Sequence, residues 1–274
     1  AKLFTHEYAE RGFINIDDAY GARLFEEASI ETIAVSRHNP RATWHFTDIS
    51  ETATGAAFVI RGRDGVLIES HTSLHGGFNL DNLLLAVAIA YDCGVDPLEM
   101  ATLIPQVHGA PGRLESVNLG QNFRALVDYA HTPDAVHNVI AAATEFTSGK
   151  VVAVLGCGGD RDSSKRPLMG SALLQASGIA IFTSDNPRSE DPTHIIQQIV
   201  SGIPESIQQK PEVIPDRASA ILYAIRHATK NDVVLIAGKG HENYQEIKGR
   251  RLAFLDADHA ALALATCATR HGGH

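Results

Sequence analysis

Short apolar runs alternate with longer helical stretches through the second half of the chain. Each run is rich in valine, isoleucine or leucine and is too short for a helix, so we predict strands there. The predicted strands are residues 123–128, 151–155, 179–183, 212–214 and 232–237. The predicted helices are residues 131–143, 167–177, 192–202, 216–229 and 258–270. This alternation indicates an α/β domain with a doubly wound (Rossmann-like), mainly parallel sheet that carries helices on both faces.

The first part of the chain predicts shorter and more mixed elements. Strands are expected at 13–16, 32–36, 55–62 and 65–71, the last two joined as a hairpin. Helices are expected at 80–90 and from Pro97 to Ile104, and a further helix opens with Asp17 and Asp18 as N-cap and first-turn acid. Leu3 and Phe4 have the character of a helix end, with Gly12 stopping that helix.

Prolines and glycines are concentrated between residues 105 and 112, which predicts a linker. We therefore expect two domains, residues 1–110 and 111–274. The chain opens without methionine and as if within a helix, so we expect it to be a fragment of a longer protein.

Composition narrows the class of protein. Of the 274 residues, 44% are hydrophobic and 20% are charged, which is typical of a globular protein. A net charge of -9 without a basic run argues against nucleic-acid binding. No apolar run reaches the roughly 18 residues of a membrane span. Three scattered cysteines favour a reducing, cytoplasmic compartment. The 14 histidines show no metal-ligand spacing, so no metal site is predicted.

A glycine-rich, charged turn follows the predicted strand at 151–155. Gly156, Gly158 and Gly159 would let the backbone turn sharply and approach a ligand, and five charged residues follow within the next seven positions. Taken alone, the glycines suggest a phosphate cradle, or an ordinary loop whose charges are solvated. We favour a ligand site because the charge exceeds what solubility requires.

Polar side chains also follow three other strands, at 128–131, 184–192 and 238–244. In a doubly wound sheet these loops share one edge, so we expect a polar cleft there. Arg161 and Arg188 could each bind a carboxylate through a two-point fork, and Asp185 and Glu242 could accept from an ammonium group. Such a cleft suits a zwitterionic amino acid. The chain contains no Walker A loop for nucleotide phosphates.

Read together, these loops resemble the Mur ligase family, and within it the ligases that add meso-diaminopimelate. The motifs are DYAHTPD at 128–134, GCGGDRD at 156–162, KRPLMG at 165–170, DNPR at 185–188 and GKGHE at 238–242, with GFNLDN at 77–82 and GRLE at 112–115. They follow one another in order over essentially the whole chain. The resemblance implies the last part of a central ATPase domain at 1–110 and an amino-acid-binding ligase domain at 111–274. The family's UDP-binding domain, P-loop and magnesium-binding acid and histidine have no counterpart here.

The resemblance also implies roles for particular residues. The implied diaminopimelate-binding residues are Arg161, Asp185, Asn186, Pro187, Arg188, Gly238 and Glu242. The implied ATP contacts are Asn79 for adenine, Arg113 for the phosphates, and Asp128 and His131 for ribose and phosphates. From the sequence alone, Asn79 could equally be a helix cap. The family's carbamylated lysine would fall directly before Ala1, so Lys2 is not that residue and no catalytic residue is expected within the chain.

The implied activity is an ATP-dependent amide ligation in peptidoglycan precursor synthesis, in the cytoplasm. A carboxylate of UDP-MurNAc-L-Ala-D-Glu would be activated as an acyl phosphate, with ATP and Mg²⁺ as cofactors of the full-length enzyme, and then attacked by diaminopimelate. We expect a monomer that binds only small molecules, and no ligase activity from this chain alone. Two alternatives stay open: a lysine-adding or folylpolyglutamate-type ligase, against which the DNPR motif speaks, and a free-standing amino-acid-binding module.

Overall fold

The chain divides into two compact units, Ala1–Gly109 and Ala110–His274. The structure, a computed structural model, describes residues 2–52, 55–74, 76–145, 147–204, 207 and 210–271. This division follows Gly109, whereas the linker composition predicts a boundary after residue 110.

The first unit is built on a five-stranded mixed sheet whose strands lie in chain order. They are β1 (Arg11–Asn15), β2 (Glu31–Ser36), β3 (Trp44–Thr52), β4 (Gly55–Arg61) and β5 (Leu67–Thr72). The first three are parallel, and β3, β4 and β5 form an antiparallel meander. The helices are α1 (Ala19–Glu27), α2 (Gly77–Asp92) and α3 (Pro97–Leu103). Trp44, Ile60 and Leu84 lie in the core that the sheet shares with α2.

Three expectations for this unit need correction. Residues 2–9 form turns rather than a helix end, and Gly12 lies within β1. A side chain at Gly12 would meet the ring of Phe4 at 2.6 Å, so the glycine admits that ring and stops no helix. Of the two roles that the sequence leaves open for Asn79, the structure excludes the N-cap, because Gly76 (φ 85°) occupies that position of α2 and Asn79 is buried in the first turn. The predicted elements also omitted β3.

The second unit contains a six-stranded sheet in which every strand is parallel to its neighbours except an edge strand. Its strands are β6 (Glu115–Ser116), β7 (Arg124–Asp128), β8 (Val151–Cys157), β9 (Ile179–Ser184), β10 (Glu212–Val213) and β11 (Val233–Ala237), in the spatial order β10-β9-β8-β11-β7-β6. A separate hairpin consists of β12 (Tyr244–Ile247) and β13 (Arg250–Ala253). The helices are α4 (Pro133–Glu145), α5 (Lys165–Ala176), α6 (Pro192–Val200), α7 (Arg217–His227) and α8 (Asp256–His271).

Both faces of this sheet are covered, as the alternation of strands and helices predicts. Successive strand residues point to opposite faces. Leu155 belongs to the core formed with α4, α5 and α6, whereas its neighbour Val154 belongs to the core formed with α7 and α8. The predicted doubly wound α/β fold is confirmed. None of the helices in the described part of the chain has the length and apolar content that a bilayer span requires.

A buried ion pair joins the starts of α7 and α8 to the strand ends beneath them. The Arg217 guanidinium donates to both carboxylate oxygens of Asp256 at 2.7 Å, and neither side chain is exposed to solvent. A further N–H bond of Arg217 reaches the carbonyl of Ala237, at the end of β11, at 3.0 Å. Because each buried charge is matched by its partner, removing one partner costs far more than removing both.

We predict that Arg217→Met destabilises the chain by about 3–5 kcal/mol, because it leaves the Asp256 carboxylate buried without its partner. The double variant Arg217→Met, Asp256→Leu should recover at least half of that loss. Urea unfolding measures both. The matched control is Arg23→Met, which removes an exposed pair with Glu27 and should change stability little. A double variant no more stable than the single one would contradict this account.

Candidate functional site

A polar cleft of about 380 Å³ lies where the carboxyl ends of β7, β8, β9 and β11 meet. Its volume is in the range of small-molecule sites. Among the predicted site residues, the following line it: His131, Arg161, Asp185, Asn186, Arg188, Gly238 and Glu242. The structure therefore brings together six of the seven residues expected to bind the amino acid. Pro187 is not among the lining residues and instead lies against the glycine turn.

The glycine turn allows two loops to pack closely. A side chain at Gly159 would come within 2.0 Å of the carbonyl oxygen of Pro187, and the Gly159 amide donates to the Asn186 carbonyl at 2.8 Å. A side chain at Gly158 would meet the guanidinium of Arg188 at 2.9 Å and the stem of Arg161 at 3.8 Å. These glycines make room for the loop Asp185–Arg188, here called the recognition loop, and for the side chains of Arg161 and Arg188. This role differs from the phosphate cradle that the glycines suggest when taken alone.

Arg188 is held in a left-handed backbone conformation by the β12–β13 hairpin. Its φ is 51°, a value that costs a residue with a side chain some free energy and needs support from its surroundings. The Arg188 amide donates to the Glu246 carbonyl at 2.9 Å, and the Lys248 amide donates to the Arg188 carbonyl at 2.7 Å. The Arg188 side chain in turn donates to the Gly159 carbonyl at 2.6 Å.

The hairpin itself is missing from the sequence-based prediction. Its two turn residues, Lys248 and Gly249, both have positive φ, as a two-residue hairpin turn requires. The lysine–glycine pair between two short strand-like segments could have indicated a hairpin turn. It indicates such a turn more weakly than the usual asparagine–glycine pair does.

A second ion pair fixes the loop that carries Arg161. Arg166 is 2% exposed and donates two parallel N–H bonds, each 2.8 Å long, to the carboxylate of Glu190. The same carboxylate accepts from the Asp160 amide at 2.6 Å. The hydrogen bonds from Arg166 lower the pKa of Glu190 to about 2. Cys157 lies nearby, and burial raises the pKa of its thiol to about 12, which makes it an unreactive wall residue.

The acidic wall is organised around Lys239, which sequence reasoning missed. Its ammonium lies 3.3 Å from Asp185, 3.4 Å from Glu242 and 3.2 Å from the Asn186 side-chain oxygen. It also donates to the Tyr244 carbonyl at 2.7 Å. Burial raises the pKa of Asp185, and the charges of Arg217 and Lys239 oppose that rise. The lysine sits between two motif residues that were singled out, Gly238 and Glu242.

The residues predicted to contact ATP occupy different settings. Asp128 is buried, and its carboxylate accepts from the amides of Leu114 at 2.9 Å and Ala130 at 2.8 Å. Burial raises its pKa. This carboxylate therefore shapes the backbone around it, and a direct ATP contact stays a prediction. Asn79 lies in the first unit, where it is buried in α2.

Arg113 and His131 both lie against the ring of Tyr129. The Arg113 guanidinium is 4.8 Å from the Tyr129 ring centre, and the His131 ring centre is 4.6 Å from it. The His131 Nδ1 lies 2.8 Å from the Tyr129 carbonyl, so that nitrogen carries the proton. Within the described residues, no three histidine, cysteine or carboxylate side chains come together as metal ligands.

Comparison with known proteins identifies the family of each part of the chain. The Mur ligase middle domain matches residues 1–90, and the Mur ligase glutamate ligase domain matches residues 112–240. The chain belongs to the Mur ligase family. It is 42% identical over 268 residues to the UDP-N-acetylmuramoyl-L-alanyl-D-glutamate--2,6-diaminopimelate ligase of Nostoc sp., a match that covers 96% of this chain and 53% of the relative.

Two further relatives carry the same name. The Streptomyces coelicolor protein is 42% identical over 253 residues, covering 91% of this chain and 50% of its own. A solved structure superposes with a TM-score of 0.69 at 36% identity, covering 97% of this chain and 55% of that one. The chain spans about half the length of the curated relatives it matches. Within this Mur ligase chain, Glu242 and the β12–β13 hairpin lie beyond the matched glutamate ligase domain.

We predict that Glu190→Gln destabilises the chain at neutral pH by about 2 kcal/mol. A neutral amide would replace the carboxylate that accepts two hydrogen bonds from the buried, charged Arg166. The pKa of Glu190 is lowered in the fold to about 2 from an ordinary 4.5. The ionised Glu190 therefore stabilises the fold fully at a pH above its ordinary pKa of 4.5. This stabilisation is lost as the pH falls towards its lowered pKa of about 2. The difference in unfolding free energy between wild type and variant should shrink across that interval.

Urea unfolding at neutral pH and at about pH 3 measures this difference. Glu145→Gln, at the exposed end of α4, is the matched control and should show no such pH dependence. A Glu190→Gln deficit that stays constant between the two pH values would argue against the ion pair as its cause.

Proposed function

We propose that the chain is the amino-acid-recognising part of an ATP-dependent amide ligase in peptidoglycan precursor synthesis. Its substrate would be meso-diaminopimelate, joined to UDP-MurNAc-L-Ala-D-Glu in the cytoplasm, where nucleotide-linked precursors are made. The relatives named above are ligases of this description. Mur ligases are ATP-dependent enzymes that form amide bonds.

One observation carries the proposal: two arginines and an acidic wall face the same cleft. The side chains of Arg161 and Arg188 both approach Gly158 and line the cleft, and Glu242 lines it as well. Guanidinium groups bind carboxylates through paired hydrogen bonds, and a carboxylate accepts from an ammonium. The arrangement suits a ligand with more than one carboxylate and at least one amino group, which describes diaminopimelate.

Arg188 would provide the selectivity. Its guanidinium has five N–H donors, more than its contact with the Gly159 carbonyl uses. In this proposal the distal carboxylate of diaminopimelate binds Arg188. Lysine lacks that carboxylate and would leave a charged donor without its partner, so discrimination between the two ligands is expected to be large.

In the proposed reaction, ATP first transfers its γ-phosphoryl group to the D-glutamyl carboxylate, which gives an acyl phosphate and releases ADP. The amine of diaminopimelate then attacks, and the tetrahedral intermediate collapses to an amide and inorganic phosphate. The cleft residues would hold the amine in position, so their contribution is orientation and charge complementarity rather than covalent catalysis. Arg113 and His131, with Asp128 shaping the backbone beneath them, are the residues of this unit proposed to contact ATP. Asn79 remains the proposed adenine contact in the first unit.

Two other functions would use the same fold differently. A lysine-adding or folylpolyglutamate-type ligase would not need the distal carboxylate contact at Arg188. A free-standing binding module would bind the amino acid without taking part in ligation. The preference of the cleft for diaminopimelate or lysine distinguishes our proposal from the other ligases. Amide formation by the complete protein distinguishes it from a free-standing binding module.

We predict that the 274-residue chain binds meso-diaminopimelate more tightly than L-lysine in calorimetric titrations. Arg188→Met should weaken diaminopimelate binding at least about tenfold, since hydrogen bonds to charged groups contribute about 1.5–3 kcal/mol. Lysine binding should change little. The matched control is Arg226→Met, on the exposed side of α7. Equal wild-type affinity for the two ligands would overturn the proposal, as would an Arg188→Met variant that loses both equally.

A further inference from the structure

Lys239 is a fully buried lysine at the foot of the cleft. It is 0% exposed, whereas lysine side chains are almost never fully buried unless they are paired. The flanking glycines turn it inward: Gly238 has φ 112° and Gly240 has φ 51°. A side chain at Gly240 would also meet Tyr129 at 2.7 Å. The chain therefore bends around Lys239 so that Gly238 faces the cleft and the ammonium lies behind it.

The ammonium, together with the Glu246 backbone amide, determines which way the Asn186 amide points. An ammonium only donates hydrogen bonds, and a side-chain amide has one accepting and one donating end. Lys239 Nζ at 3.2 Å and the Glu246 amide at 2.9 Å both approach the Asn186 oxygen as donors. The amide nitrogen of Asn186 must then face the other way, where it donates to Glu242 at 2.7 Å.

The same ammonium also acts on the two carboxylates of the acidic wall. Glu242 Oε2 accepts hydrogen bonds from both Asn186 and Lys239. These two donors do not use the other carboxylate oxygen, Oε1. Asp185, which is 8% exposed, receives an N–H bond from Lys239 at 3.3 Å. Two neighbouring carboxylates would repel each other without a cation between them.

We propose that Lys239 is a positioning residue that fixes the Asn186 amide and the Glu242 carboxylate for binding the ligand's amino group. It contacts the binding residues from behind and does not line the cleft. The identity of the ligand in this proposal rests on the proposed function. The orientation of Asn186 and Glu242 does not depend on that function, so the positioning role and the proposed function can be tested separately.

The test compares three variants of the chain: Asp185→Asn, Lys239→Met, and the two combined. Lys239→Met alone leaves the Asp185 carboxylate buried without its ammonium and could fail to fold. The double variant removes both charges of that pair and keeps the test usable. Lys230→Met, at an exposed turn, is the matched control.

The decisive comparison is the double variant against Asp185→Asn, in calorimetric titration with meso-diaminopimelate. If Lys239 positions Asn186 and Glu242, the double variant binds at least about tenfold more weakly than Asp185→Asn, with a similar thermal midpoint. If Lys239 only neutralises Asp185, the two variants bind equally. Equal dissociation constants would overturn the proposal.

A second measurement needs no ligand. Hydrogen exchange of the Asn186 side-chain amide, followed by NMR, should be at least about tenfold faster in the double variant than in Asp185→Asn, because the amide loses its fixed orientation. Lys230→Met should exchange as wild type does. Unchanged exchange would overturn the positioning role. Faster exchange in a protein that shows no preference for diaminopimelate would support that role and reject the proposed function.

Discussion

Buried charge has to be paired, and the second unit depends on this constraint at the ends of β9 and β11. Arg217 with Asp256 and Lys239 with Asp185 place two cations and two carboxylates where almost no water reaches. An unpaired ion in such a place would cost several kcal/mol. The two pairs therefore tie α7, α8 and the strand ends into one arrangement. Because Asp185 begins the recognition loop, its pair with Lys239 anchors that loop at the end of β9.

Close backbone packing supplies the second constraint. Gly159 lies against Pro187 with no room for a side chain, and the hairpin formed by β12 and β13 holds Arg188 in a conformation that it would not adopt unaided. The hairpin thus fixes the backbone of Arg188, and the glycine turn accepts a hydrogen bond from its side chain. A guanidinium held in this way loses little conformational entropy when it binds a carboxylate.

The fold of the second unit could be predicted because its strands are buried on both faces and its helices are long, so local pattern and final structure agree. The convergence of four loops at one sheet edge followed from topology alone. The hairpin could not be placed, since its strands are short and partly exposed and its role depends on contacts with Arg188. Lys239 was missed because its burial comes from tertiary packing, and sequence patterns treat lysine as a surface residue.

The pairing also explains how a chain with a net charge of -9 presents arginines to a ligand. Each acid that lines the cleft already has a cation beside it: Lys239 lies against Asp185 and Glu242, and Lys165 lies 3.9 Å from Asp162. Arg161 and Arg188 line the same cleft as these acids, whose negative charge the two lysines offset in part. A carboxylate entering the cleft therefore competes with fewer protein acids than the composition suggests. Net charge describes the whole surface, whereas recognition depends on which charges the fold has already paired.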